Sequence, residues 1–244
     1  SVFPNIIMKV PANASMQEKS TIYESAVNSP REMSLLEFLK LGEKYREVIE
    51  RLRSCEDKEI RNKIKRTELP CATISASFTS RASSKAVEEK LKRYNSLMVL
   101  DFDNLEDPAA AKEELSQLPF FWYIGLSVGG KGLFGIVPLG TDDFKEHKVY
   151  FNALRKELDL FGYEVDKACC DVTRLRVVSY DPDAFFNENC EVFCIDEREE
   201  DDGEVYSSGP VPERAQDRSS RIELYVLEWE KRRVPLDDYQ DWMT

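Results

Sequence analysis

Asp101 and Asp103 end the run Leu97-Met98-Val99-Leu100-Asp101-Phe102-Asp103, with a single residue between the two carboxylates. In a strand, residues i and i+2 point to the same side, so both acids are expected to project together from its end. Carboxylates so placed can share divalent metals. A two-metal site, with its ions roughly 3.5–4 Å apart, clamps the attacking and leaving oxygens of an in-line phosphoryl transfer. Oxygen donors of this kind suit Mg²⁺ or Mn²⁺. The competing reading is a polar strand exit, with Asn104 turning the chain.

Two further segments carry residues of related chemistry. Ser127-Val128-Gly129-Gly130-Lys131-Gly132 has the composition of an anion cradle: glycines that let backbone amides approach a phosphate, one hydroxyl and one lysine. A tight β-hairpin turn explains the same residues equally well. Gly125 and Gly130-Lys131 have P-loop spacing, but Gly132 stands where Ser or Thr should hold Mg²⁺, and a strand-like run follows in place of the helix. An ATPase of that type is excluded. The third segment, Asp171-Val172-Thr173-Arg174-Leu175-Arg176, offers another carboxylate and two arginines on one side of a strand, where arginine can hold phosphate bidentately. A surface ion pair between Asp171 and Arg174 is its alternative. His147 is expected on a helix surface.

The surrounding pattern must position these groups. Ser34 and Glu37 are spaced as a capping box ahead of Leu35–Leu41, a second helix is expected through Tyr45, Val48, Ile49 and Leu52, and a third from Asp57 to Arg66. Cys71–Phe78 reads as a strand and Ser84 as the N-cap of a basic helix reaching about Arg93. After the Asp101 strand come a helix Ala109–Leu118 opened by Asp107-Pro108, strands Phe120–Ser127 and Leu133–Leu139, a helix capped by Asp142 and stopped by Gly162, and a strand Arg174–Ser179. That order is β-α-β-β-α-β, a ferredoxin- or RRM-like palm in an α+β chain. The fold hosts many functions and licenses none by itself.

Composition sets the bounds. The chain has 244 residues, 42% of them hydrophobic, enough for a real core. The expected divisions are an N-terminal helical α/β module (1–95), the palm-like core (96–196), an acidic linker (197–220) and the start of a C-terminal helical segment (221–244). Cys190–Ile195 is a further possible strand, and the last segment, with Trp229, either packs on the main domain or opens another. No apolar run approaches a membrane span, and the expectation is a cytoplasmic protein. Six cysteines without CxxC spacing and one histidine argue against structural zinc. The net charge of -12 argues against a general coat of positive field for DNA, although Lys58–Arg66 is locally basic.

Asp101-Phe102-Asp103, the glycine turn from Ser127 to Phe134, and Asp171–Ser179 occur in the order of the three motifs of the archaeo-eukaryotic primase-polymerase superfamily. The longer pattern, from Leu69-Pro70-Cys71-Ala72-Thr73 through Val165-Asp166-Lys167 to Tyr180-Asp181-Pro182-Asp183, resembles its bacterial and phage branch, the VirE N-terminal domain family. The resemblance implies metal-dependent nucleotidyl transfer, as in a DNA primase or polymerase of a replication protein from a bacterium, phage or mobile element. On that reading Asp101, Asp103 and Asp171 are catalytic and hold Mg²⁺ or Mn²⁺. Ser127, Gly130, Lys131, Gly132, Arg174 and Arg176 bind the nucleotide. Single-stranded or primed nucleic acid and a C-terminal ATPase or helicase region are the implied partners, with no membrane. One residue departs from the pattern: Phe134 stands where active relatives carry a phosphate-contacting histidine, and a phenyl ring donates no hydrogen bond. The second hypothesis is therefore a catalytically silent module that recognises nucleic acid or protein beside a VirE-type ATPase. A relaxase- or nuclease-like use of the same carboxylates is the third.

Overall fold

The computed structural model describes residues 7–8, 19–23, 31–80, 85–195 and 217–231. Its strands begin with β1 (Ile7–Met8), β2 (Lys19–Tyr23) and β3 (Arg31–Ser34), followed by helices α1 (Leu35–Lys44), α2 (Arg46–Ser54) and α3 (Lys58–Thr67). The local signals explain the boundaries. Ser34 and Glu37 form the expected capping box, and Asp57 accepts from the Glu59 and Ile60 amides at the start of α3. Leu35, Phe38, Ile49, Leu52 and Ile64 form the buried stripe of this block.

Cys71–Phe78 is two strands, not one: β4 (Cys71–Thr73) and β5 (Ala76–Phe78) join different sheets, with a bend at Ile74-Ser75 between them. The basic helix is also shorter than its composition suggests. Only α4 (Val87–Lys90) is helical, and β6 (Leu91–Tyr94) pairs with β5. Tertiary pairing has overridden helix propensity there. Ser84, its expected cap, lies outside the described residues.

The remaining elements follow the expected order: β7 (Leu97–Phe102), α5 (Pro108–Ser116), β8 (Tyr123–Leu126), β9 (Leu133–Pro138), α6 (His147–Asp159) and β10 (Leu175–Val177). Asp107 caps α5, and Gly162, at a φ of 74°, follows α6 as expected. Asp142 is not the cap of the next helix. Asp143 accepts from Lys145 to open a 3-10 turn, and α6 starts only at His147. The set ends with β11 (Phe185–Phe186), β12 (Val192–Phe193) and α7 (Arg218–Lys231).

The fold is α+β with small antiparallel sheets. The central one has the order β11-β8-β9-β7, and a second has the order β10-β4-β2-β3. The last strand of the β-α-β-β-α-β order thus leaves the central sheet and pairs with β4, Arg176 opposite Ala72. β7 is buried along its whole length and divides two cores by strand parity. Met98, Leu100 and Phe102 join α5, α6 and α7 in one; Leu97 and Val99 join the α1–α3 block, Trp122 and Phe134 in the other. α7 docks through Ile222, Tyr225 and Trp229, whose indole donates to Glu191 at 2.6 Å. Residues 196–216, most of the expected linker, and residues 232–244 lie outside the described residues. Among the described residues no helix is long and apolar enough to cross a membrane.

Candidate functional site

Parity puts Asp101 on the same side as Leu97 and Val99, opposite Phe134 across the β7–β9 pair. A position that continues an apolar face therefore carries a carboxylate, only 5% exposed. Two guanidiniums hold it. Arg174 donates from Nε and Nη2 to Oδ2 at 3.3 and 3.0 Å, and Arg176 reaches Oδ1 through Nη2. Arg174 also bonds Asp166, whose amide donates to the Asp101 carbonyl at 3.0 Å. Burial works against the charge on Arg174, but Cys169, Asp101 and Asp166 outweigh it and raise its pKa.

The Cys169 thiol points at Asp101 Oδ2 at 3.7 Å. Burial, with the Asp101 charge second, pushes its pKa up to about 12. Asp101, Asp166 and Cys169 each place a ligand atom within 4.8 Å of the others, a group that could hold a metal ion. The two carboxylates are donors for a hard cation, whereas the thiol suits a softer one only after losing its proton.

Asp103 and Asp171 are not part of that group. Asp103 is exposed just beyond the strand, near enough to Lys65 of α3 to support its charge. The exposed Asp171 carboxylate accepts from the amide and hydroxyl of Thr173, both at 2.8 Å, as a local turn. It shares a shallow depression with Cys169, Arg174 and Arg176, floored in part by Ile74 and Val99. The alternative reading, an ion pair of Asp171 with Arg174, is thus replaced by Asp101 with Arg174.

The glycine segment is the β8–β9 connection, and it does reach β7. Leu105 donates to the Lys131 carbonyl at 3.2 Å, and a Cβ on Gly132 would collide with the Phe102 carbonyl oxygen. Ser127 and Gly130 spend their amides inside the turn, on the Gly132 and Ser127 carbonyls. Lys131 is exposed, as Gly130, at a φ of 74°, sets the turn. All three segments singled out by sequence therefore meet at the end of β7.

Residues that sequence reasoning passed over hold this arrangement. Arg53 of α2 donates to the carbonyls of Ser127, Val128 and Tyr180 at 3.2, 3.3 and 2.8 Å, tying the turn to the segment after β10. Asp181, whose side chain is almost fully buried, accepts from Lys112 at 2.8 Å and the Leu126 amide at 2.9 Å. Arg176 lies over the Phe134 ring, 4.9 Å from its centre, so the phenyl is a floor for the arginine. No signal in the sequence hinted at these contacts, since nothing local says which side chain crosses to a loop 74 residues away.

His147 is the clear correction. It is buried, not on the helix surface, with Nδ1 2.8 Å from the Tyr94 hydroxyl. Burial holds its pKa down to about 4, although Asp171 pulls the other way.

No curated protein and no solved structure matches the chain. A family model, the BT4734-like N-terminal domain, matches residues 64–186, just over half of the chain, taking in β7, the glycine turn and β10. The protein belongs to the BT4734-like N-terminal domain family.

Proposed function

We propose that this domain is the nucleotidyltransferase core of a replication protein of primase-polymerase type. The observation that carries it is Asp101: a buried carboxylate at a strand end, gripped by two arginines, where three loops of complementary chemistry converge. The resemblance to the VirE N-terminal branch supports the same reading. Divalent cations, Mg²⁺ or Mn²⁺, would be held by Asp101 and Asp166, whose ligand atoms lie within 4.8 Å of one another, with the exposed Asp103 and Asp171 completing the set as the resemblance implies, and would neutralise phosphate charge beside a 3′-hydroxyl nucleophile.

The protein's own groups then have definite tasks. Arg174 and Arg176 now satisfy Asp101; a nucleoside triphosphate arriving with its cation offers each partner a replacement of matching charge. With both bound, Arg174 and Arg176 would neutralise the phosphates and Asp101 would hold the cation, which would supply charge stabilisation there. Arg176 has a buried Nε without an acceptor among the described residues, a donor ready for that exchange. Lys131 and the backbone of Ser127, Gly130 and Gly132 border the phosphates, and Arg53 keeps that turn in place. A primer-extension assay with Mn²⁺ tests the reading: wild type should add nucleotides, and an Asp101→Ala/Asp103→Ala double variant that adds them equally well would refute it.

A second reading, a silent recognition module beside a C-terminal ATPase or helicase region, is favoured by Phe134, which is packed beneath Arg176 where the resemblance implies a histidine. Such a module binds nucleic acid or protein without metal-dependent affinity for nucleotides, which a titration with Mn²⁺ and a nucleoside triphosphate distinguishes.

A further inference from the structure

α3 carries Lys58, Arg61, Lys63, Lys65 and Arg66 against one acid, Glu59, in a chain of net charge -12. Lys58, Arg61 and Lys65 fall at i, i+3 and i+7, one side of the helix, spanning roughly 10 Å along its axis. That row is not assembled for the helix's benefit. Like charges three and four residues apart oppose helix formation, and Lys58 sits at the end where the helix dipole disfavours cations.

Its position gives it a use. Lys65 is half-buried beside Arg61 and Arg176, with Asp103 on the opposite account. Neither Arg61 nor Lys65 forms an ion pair among the described residues, while Arg174 and Arg176 are both paired. The Lys65 end of the row lies at the lip of the Asp101 site, beside Asp103 and Arg176, and Arg61 and Lys58 extend it along the helix. Lys58, Arg61, Asn62 and Lys65 make this side wholly polar, which suits phosphates and lacks the apolar centre of a protein interface.

Resting on the nucleotidyl-transfer reading above, we propose that this side of α3 binds the phosphate backbone of a single nucleic-acid strand and leads it to the end of β7. The contacts are ionic and independent of sequence, so they carry a salt signature: each cation engaged contributes about 0.7 to the slope of log affinity against log salt on a single strand.

The test is fluorescence anisotropy of a labelled oligodeoxythymidylate across a salt series. Lys65 is left intact because it borders Asp103. Lys58→Ala/Arg61→Ala should weaken binding and lower the slope by about 1.4. The same loss of two charges from α6, Lys148→Ala/Lys156→Ala, should leave the slope unchanged. Lys58→Gln/Arg61→Gln serves if the alanine variant does not melt like wild type. The proposal is overturned if the wild type does not bind the strand, if the α3 variants keep its slope, or if the α6 variant loses as much. Mn²⁺-dependent nucleotide binding, followed in the same proteins, separates the two readings. Nucleotide binding without α3-dependent strand binding defeats this proposal alone; α3-dependent strand binding without nucleotide binding defeats the nucleotidyl-transfer reading and leaves α3 as a strand-binding surface.

Discussion

The two sides of β7 are made by one strand and differ at one residue. Toward α5, α6 and α7, Met98, Leu100 and Phe102 meet a largely apolar core in which Phe120 packs against Phe121, Phe193, Tyr225 and Trp229. Toward the α1–α3 block, Leu97 and Val99 begin a similar core, and then Asp101 replaces the next apolar residue. From there the packing becomes charged: two arginines, Asp166 and a thiol surround one carboxylate. Burying that carboxylate is costly unless it is paired, and hydrophobic residues of similar size often serve stability as well or better. On the proposed function, the side with the polar cluster has given up packing for chemistry.

Four changes break or sharpen that contrast. The largest loss of stability belongs to the apolar side. Phe120→Ala should cost about 4 kcal/mol in urea unfolding, from the transfer of the ring and the cavity left among its aromatic neighbours. Its folded fraction should still bind nucleotide.

The second is a pH effect. The His147 pKa is about 4 when folded and 6.5 as a reference, so the unfolded chain takes up the proton first as pH falls. Stability from this site is complete above pH 6.5, declines between pH 6.5 and 4, and levels off below, a loss of roughly 3 kcal/mol. His147→Gln should flatten that part of the curve, and because the chain has one histidine no other imidazole masks it.

On the charged side, Asp101→Asn keeps shape and removes charge. Unfolding should show a loss of about 2 kcal/mol as Arg176 loses its carboxylate, smaller than for Phe120→Ala, while metal-dependent nucleotide binding disappears. Arg53→Lys is the mildest. It retains the cation but loses the forked donors that hold the turn, at about 1 kcal/mol, and should expose the Ser127–Gly132 segment to limited proteolysis.

The same contrast explains what the chain alone revealed. Helices α1–α3, α5 and α6, and strands β7 and β9, announce themselves through caps and periodicity, because those signals lie within a few residues of what they determine. Asp101 was legible as a strand-end acid, and the three loops were legible as neighbours through the order of elements. Which acid meets which arginine was not. Asp171 and Arg174 are three residues apart, yet Arg174 crosses to Asp101 and Asp166, because β10 pairs with β4 and leaves the central sheet. Arg53 and Asp181 act across 74 and 55 residues, distances over which periodicity carries no information. His147 was misplaced for a related reason: its burial comes from Tyr94 on β6, where composition pointed to a helix.

On the proposed function, Asp101 exchanges its arginines for a cation when nucleotide arrives. Anomalous diffraction from crystals soaked in Mn²⁺ with a non-hydrolysable nucleoside triphosphate addresses it directly. The predicted result is manganese bound to the Asp101 carboxylate, with Arg174 and Arg176 turned onto the phosphates. Nucleotide and metal bound elsewhere, with both guanidiniums still on Asp101, would contradict it.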